Sequence, residues 1–479
     1  MISARILALC LLVGVCACAS GCAGVDPFEV EEGIPVESAS KYWAPPAHGP
    51  SLAPARVAPD LEKGPLDLAD CILIAMANNP RTRVSWQSTR SAAALVGQAR
   101  ALYFPQVDFT TGAERQKFLS QTDVGFENIY YRSRRTASFG VRQLLLDGGF
   151  RHAQVEAAEA GLRSADFRHN ALLLDLALAT EIAYYRLLAT QSLLEVADHT
   201  VEQRAKHLDL AQKRRDAGRG RQVEVLQAAS EKADAELALV EGRNQVRIMR
   251  GRLASIMGLP VSSVLRIVEI PEEAHEVEKE DVGRLLKEAA LSRPMLQSAV
   301  AEVERARQAL DSEKAMRWPE LNAAASYGWA DWHWPPDYSD EWAFSMTLSI
   351  PIFSGFQRTY RIRQAEAQLE ATVAAYERVL RDAELEVWEA YSGLLRAEEA
   401  LNAAETFLQS SRETVNVTER EYEQGRATIV ELIDAQNNLT RALSRKVTVR
   451  LDWYVALGQV ERAVGKSWLD SPREERRGN

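Results

Sequence analysis

The stretch WAFSMTLSIPIF, Trp342 to Phe353, alternates Trp342, Phe344, Met346, Leu348 and Ile350 with Ala343, Ser345, Thr347 and Ser349. A period of two marks a strand with one apolar and one polar face. Long stretches on either side read as helix instead. Leu369, Val373, Tyr376, Leu380, Val387, Tyr391, Leu394 and Leu395 recur at three- and four-residue spacing, the stripe of a helix packed on other helices. The apolar strand face therefore needs a partner of its own.

Three further segments share the strand pattern. Val107 and Phe109 oppose Gln106, Asp108 and Thr110, and Phe139 and Val141 oppose Ser138, Gly140 and Arg142. Leu321, Ala323, Ala325, Tyr327 and Trp329 oppose Glu320, Asn322, Ala324, Ser326 and Gly328. Strands of about ten residues with aromatics near their ends fit a transmembrane barrel. A soluble sandwich would bury the same face, but the chain offers no other apolar β partner. Four strands cannot close a barrel, and an open edge in lipid leaves backbone groups unpaired. The expectation is a chain that lends four strands to an oligomer and turns Val107, Phe109, Phe139, Val141, Tyr327, Trp329, Trp342, Phe344, Met346 and Leu348 to lipid.

The chain is also written twice. Asn79-Pro80-Arg81 answers to Arg293-Pro294-Met295 and Phe104-Pro105-Gln106 to Trp318-Pro319-Glu320. Further on, Gly149-Phe150 answers to Gly355-Phe356, Tyr185 to Tyr391, and Gly218, Glu224 and Gly258 to Gly425, Glu431 and Gly465. Between Pro105 and Phe150 the first copy is longer, as expected of a longer surface loop. Each copy predicts a helix of about thirty residues (near 67–101 and 281–316), two strands, a long helix to Gly218 or Gly425, and a returning helix. A helix of roughly 65 residues would reach on the order of 100 Å.

The first 21 residues, with Arg5 before an apolar run to Cys18, read as a secretory signal. Ala19-Ser20-Gly21-Cys22 resembles a lipoprotein box, which makes Cys22 the candidate lipidation site and Cys18 a competing one; an ordinary signal peptide is the plainer alternative. Residues 22–65 are a Pro-rich strap, 66–260 and 281–466 the two repeats, 261–280 a linker, and 467–479 a polar tail. No later segment is apolar enough for a membrane-spanning helix.

At 479 residues with net charge -10 there is no basic excess to meet nucleic acid. Enzyme signatures are missing. The seven histidines are scattered with no HExxH pattern, no GxSxG is present, and Gly465-Lys466-Ser467 lacks the earlier P-loop glycine, with Val460 in its place. No catalytic residue, metal or cofactor is expected. Cys71 reads as a buried small residue. Trp332-His333-Trp334-Pro335-Pro336 reads as an aromatic loop between the third and fourth strands.

On the Asn79-Pro80 and Phe104-Pro105 marks, Pro351-Ile352-Phe353-Ser354-Gly355, and Gly425 followed by Val430-Glu431-Leu432-Ile433-Asp434-Ala435-Gln436, the chain resembles TolC-family outer-membrane efflux channels (outer-membrane factors), in the lipoprotein branch represented by OprM. The resemblance covers about residues 66 to 466. It implies a homotrimer whose twelve-stranded β-barrel in the outer membrane continues into a twelve-helix periplasmic α-barrel. It also implies a passive conduit for small molecules, metal ions or polypeptides, docked to a periplasmic adaptor (membrane fusion) protein and an inner-membrane pump or ABC exporter. By the same resemblance Glu431 and Asp434 form an acidic pore ring, and Gly218 and Gly425 mark the helix-tip turns where the adaptor docks. Tyr422, Glu423, Arg426, Lys213, Arg214 and Arg215 are latch candidates, the Lys213–Arg215 run and the acids before Gly425 being of opposite sign. A lipid-anchored coiled-coil tether or a periplasmic adaptor is the rival class.

Overall fold

In the computed structural model the described residues are 64–121, 127–218, 220–268, 281–333 and 336–466, less the side chains next to the two hairpin turns. The signal peptide, Cys18, Cys22, nearly all of the strap, most of the linker and the tail lie outside them.

The elements run α1 (Leu68–Asn78), α2 (Pro80–Ala101), β1 (Gln106–Gln121), β2 (Glu127–Leu146), α3 (Phe150–Asp216), α4 (Gln222–Ile256), α5 (Val282–Ser292), α6 (Pro294–Ala315), β3 (Glu320–His333), β4 (Pro336–Ser349), α7 (Gln357–Glu423) and α8 (Ile429–Val464). The same order therefore occurs twice. The paired helices have equal lengths of 11, 22 and 67 residues, and the returning helices have 35 and 36.

Four expectations are corrected. The two thirty-residue helices are each a pair of helices, because Asn79 and Arg293 adopt extended backbone at ψ 128 and 118. Each precedes a proline, whose ring disfavours helical geometry in the residue before it, and Pro80 and Pro294 then open the next helix. The strands have 14 to 20 residues rather than about ten. Much of the extra length of the first copy continues the β1–β2 ladder out to Gln121 opposite Glu127, rather than enlarging a loop. Trp332 and His333 belong to β3 and Pro336 opens β4, so the expected aromatic loop is largely strand; Trp334 and Pro335 are not described.

The chain divides into two units. The first contains the four strands and the adjoining helix segments, 87–166 and 298–377. Its sheet is antiparallel throughout, in the order β1-β2-β3-β4. The second contains α1, α5, the remainder of the long helices, α4 and α8. Its larger core gathers Cys71, Ile72 and Met76 from α1, Leu173, Tyr184 and Leu187 from α3, and Leu253 from α4, with Met257. Burial pushes the Cys71 thiol up to about 12, which makes it an inert packing group. A matching cluster joins Leu285 and Ala289 of α5 to Val387 and Ala390 of α7 and Ala463 and Val464 of α8. Tyr185 and Tyr454 stack at 4.5 Å.

The proline breaks and the terminal glycines meet in this unit. Asn79 Nδ2 donates to Ile256 O at 2.8 Å, and Ser292 Oγ donates to Val464 O at 2.7 Å. The last carbonyls of α4 and α8, which have no partner within their own helices, are thus capped from across the fold. Gly258 and Gly465 have φ of +71 and +88. A Cβ would come within 2.5 Å of Asn78 O at the first and 2.9 Å of Arg293 Cα at the second. Gly258→Ala and Gly465→Ala should each destabilise the second unit by at least about 1–2 kcal/mol, the left-handed backbone cost alone. A lower thermal midpoint in detergent, with both variants affected alike, is the expected result.

Candidate functional site: the sheet face and the helix tips

Register decides what the sheet presents. Val107 pairs with Val141, Val141 with Ala325, and Ala325 with Phe344; the next apolar row is Phe109, Phe139, Tyr327 and Trp342. Directly paired residues share a face, so the alternation read from the sequence becomes continuous bands across four strands. Phe109 and Phe139 touch at 4.8 Å. Yet the face is uncovered: Trp342, Phe344, Met346 and Leu348 are 71, 65, 55 and 58 % exposed. The opposite face is ionic, with Arg142 on Asp108 at 3.2 Å and Arg134 on Glu341 at 3.0 Å. Arg132 lies 3.6 Å from the centre of the Trp332 ring on that face. Within one chain β1 and β4 each keep one unpaired edge.

The helix tips are built differently in the two copies. After α3, Gly218 turns the chain at φ +73, and Gly218 N–H donates to Arg215 O at 2.8 Å. Arg221 then caps α4 without a side-chain bond and pairs with Glu224 at 3.2 Å. After α7, Gly425 turns at φ +76 and Arg426 N–H donates to Glu421 O at 2.8 Å. Thr428 and Glu431 then form a reciprocal capping box at the start of α8. Thr428 N–H donates to Glu431 Oε2 at 2.6 Å, and Thr428 Oγ1 donates to the same oxygen at 2.9 Å. These bonds hold the exposed Glu431 carboxyl below its ordinary value. Glu431 is therefore an N-terminal cap of α8 as well as a candidate pore charge. Asp434, one turn on, is exposed.

The latch candidates separate. Arg214 is brought against Tyr422, its guanidinium carbon 4.6 Å from the ring centre and Nη1 donating to Tyr422 O at 3.5 Å. Tyr422 is 2 % exposed, packed with Ile429 and Leu432. Lys213 instead pairs along its own helix with Asp209 at 2.7 Å, and Arg215 with Asp216 at 2.5 Å. Neither Glu423 nor Arg426 forms an ion pair with a described residue. Among the described residues a cation–π contact joins the tips, rather than carboxylate–ammonium pairs.

A second link escaped the sequence reading. Arg204 of α3, 4 % exposed, donates through Nη1 to Gln436 Oε1 at 2.9 Å and through Nη2 to Asn437 Oδ1 at 2.5 Å, both on α8. Glu231 of α4 lies 3.8 Å away, and the Gln436 amide meets His207 Nε2. Burial lowers the affinity of both Arg204 and His207 for their protons, and for His207 the Arg204 charge adds to the effect. The signal was present: Arg204, Leu208 and Ala211 sit at helical spacing on the face that is buried, so an arginine occupies an apolar stripe.

No described helix is long and apolar enough to cross a membrane. Among the described residues no group of three or more His, Cys, Asp or Glu is placed to hold a metal ion.

Comparison with known proteins agrees with this geometry. The family described as outer membrane efflux protein matches residues 72–259 and 285–466. Protein CyaE of Bordetella pertussis is 27 % identical over 455 residues, covering 92 % of this chain and 91 % of that protein. The solvent efflux pump outer membrane protein SrpC of Pseudomonas putida is 24 % identical, covering 82 % and 84 %. The pyoverdine export outer membrane protein OpmQ of Pseudomonas aeruginosa is 23 % identical, covering 97 % and 96 %. The solved outer-membrane channel OprN superposes with TM-score 0.74 at 21 % identity, covering 84 % of this chain and 90 % of its own. VceC of Vibrio cholerae superposes with TM-score 0.72 at 20 % identity, covering 84 % and 96 %. Both share the fold.

Arg204→Met should cost about 1–3 kcal/mol, because Gln436 and Asn437 lose a buried donor, while Arg204→Met combined with Gln436→Leu should recover part of the loss; thermal unfolding of the two variants measures this. His207 carries a lowered pKa, so its contribution is present above the ordinary value of 6.5 and is lost as pH falls through the folded value. Wild-type protein should lose stability on mild acidification to a greater extent than His207→Gln.

Proposed function

Because the chain belongs to the outer membrane efflux protein family, we propose that it is the outer-membrane channel of a tripartite efflux or type I secretion system. It would pass solutes passively from a periplasmic adaptor and an inner-membrane pump or ABC exporter to the outside. The observation that carries this is the four-stranded sheet, with an exposed apolar face, an ionic face and two unpaired edges. In water such a sheet exposes far more apolar surface than a monomer tolerates, and open edges invite pairing. In a membrane the same edges are forbidden unless closed. Three copies, β4 of one against β1 of the next, satisfy both demands with a twelve-stranded barrel.

In this reading the chain is internally duplicated, and the long helices α3, α4, α7 and α8 of three copies form the twelve-helix α-barrel. The apolar rows face lipid and the ionic face lines an aqueous lumen, where Arg142–Asp108 and Arg134–Glu341 remain hydrated. Glu431 and Asp434, three residues apart on one helical face, set six carboxylates around the periplasmic opening. Such a ring favours cations and resists closure unless partners offset the repulsion. The Arg214–Tyr422 contact and the Arg204 cluster then hold each chain's first hairpin to its second. The adaptor docks at the Gly218 and Gly425 turns, and Cys22 carries the lipid anchor. The names of SrpC and OpmQ support small organic cargo, with metal ions and polypeptides as the other classes the architecture passes. A tether or adaptor has no use for four amphipathic strands.

Native mass spectrometry of mature protein extracted in mild detergent tests the assembly. A trimer whose subunits begin at Cys22 and carry acyl chains is the expected result, and a lipid-free, water-soluble monomer would overturn it. In planar bilayers Asp434→Lys should change basal conductance and shift ion selectivity away from cations; a channel identical to wild type would remove Asp434 from the pore.

A further inference from the structure

Toward the hairpin tips the apolar band of the sheet gives way to charge, and it does so unequally across the strands. On the face that carries Val107, Phe109, Phe139 and Val141, the following rows pair Ala113 with Arg135, Arg115 with Ser133 and Lys117 with Tyr131. Alternation keeps Arg135, Arg115, Lys117 and Tyr131 on that same face. Arg135 lies four residues beyond Phe139, about 13 Å along the strand. The aromatic border of the band, Trp329 and Tyr338, runs through the neighbouring rows of β3 and β4.

The three cations are exposed, and none forms an ion pair with a described residue. Arg115 stacks on Tyr131, its guanidinium carbon 5.4 Å from the ring centre. Arg135 is directly opposite Asp331 in the register, yet their side chains make no ion pair. On the other face at the same level the arginines are engaged, Arg134 with Glu341 and both Arg132 and Arg134 with Trp332. On the apolar side, then, Arg135 shares the row of Tyr338 and Arg115 and Lys117 lie in the rows beyond it, all three without an ion pair to a described residue.

We propose that Arg115, Lys117 and Arg135 form a docking surface for lipid headgroups that carry phosphate in the outer leaflet. This rests on the reading that the apolar face meets lipid. A cation placed just beyond the hydrocarbon reaches the depth of the headgroup phosphates, where the local dielectric is low and screening by salt is weak. Tyr131 holds the Arg115 plane while leaving its edge N–H groups free to donate. Arginine donates to phosphate oxygens in pairs, and Lys117 adds a point charge. In a trimer the surface repeats three times around the rim, between stretches where β3 and β4 present Asp331 and Asp340, so bound lipid would sit over β1 and β2 of each copy.

The test uses the full-length protein purified in mild detergent, presented with diphosphoryl lipid A and with its dephosphorylated form, and retention is read by native mass spectrometry. Wild type should retain the diphosphoryl form preferentially. The triple variant Arg115→Gln, Lys117→Gln, Arg135→Gln should lose at least about tenfold of that preference. Arg134→Gln, on the other face, should keep it. Equal retention of both lipids by wild type, or an undiminished preference in the triple variant, would overturn the proposal. So would displacement by inorganic phosphate at millimolar concentration, which would make this a site for free anions. Conductance in bilayers separates the two readings: a protein that conducts but shows no phosphate preference sinks only the docking surface, whereas one that never enters a bilayer sinks the channel itself.

Discussion

The rows that carry Val107, Val141, Ala325 and Phe344, and then Phe109, Phe139, Tyr327 and Trp342, gather large apolar side chains on one side of the sheet and leave that side bare. Hydrophobic burial is the dominant favourable term in folding, and here a single chain leaves it unspent along four strands while also leaving two edges without partners. Each remaining feature of the proposed channel answers to that constraint. In that proposal lipid would take up the apolar face, neighbouring copies the edges, and water the ion pairs of the opposite face.

The helical unit obeys the opposite logic. There the chain covers itself, with α1 and α5 packed into equivalent corners and the glycines that end α4 and α8 pressed against the breaks before Pro80 and Pro294. Asn79 and Ser292 cap helix ends that lie far away in sequence, so both copies of the repeat depend on a close backbone approach that only glycine permits. The two tips differ. Thr428 and Glu431 secure the start of α8 by a capping box, whereas α4 begins at Arg221 with an ion pair to Glu224. A carboxylate that already caps a helix has a fixed orientation, which would suit Glu431 to the proposed ring, where charges must hold their places against one another.

Coupling between the two hairpins of one chain runs through polar groups in a buried setting. Arg204 is satisfied by Gln436 and Asn437 with only a distant carboxylate in Glu231, so it keeps its charge while holding two helices together. Hydrogen bonds of this kind are directional and costly to leave unmade, which makes the contact specific without a large apolar seam.

The sequence by itself determined the repeat, the four strands and their faces, the long helices and the residues that end them, because these follow from local periodicity, from proline and glycine geometry, and from self-similarity along the chain. The buried fate of Cys71 was also legible from its place in an apolar helix. The breaks at Asn79 and Arg293 follow from the prolines after them, whereas only the tertiary structure decided the long first hairpin, the strand placement of Trp332 and His333, the capping duty of Glu431, and the partners of the tip residues. Arg214 on Tyr422 and Arg204 on Gln436 join positions more than two hundred residues apart. Such pairs depend on the rotation of one helix about its axis against another, and a helical wheel gives the face of a residue without saying which residue of another helix lies opposite. The alternation of a strand likewise shows that Arg115, Lys117 and Arg135 share a face, while only the register shows that Asp331 stands opposite Arg135, and only the side-chain placement that the two form no ion pair.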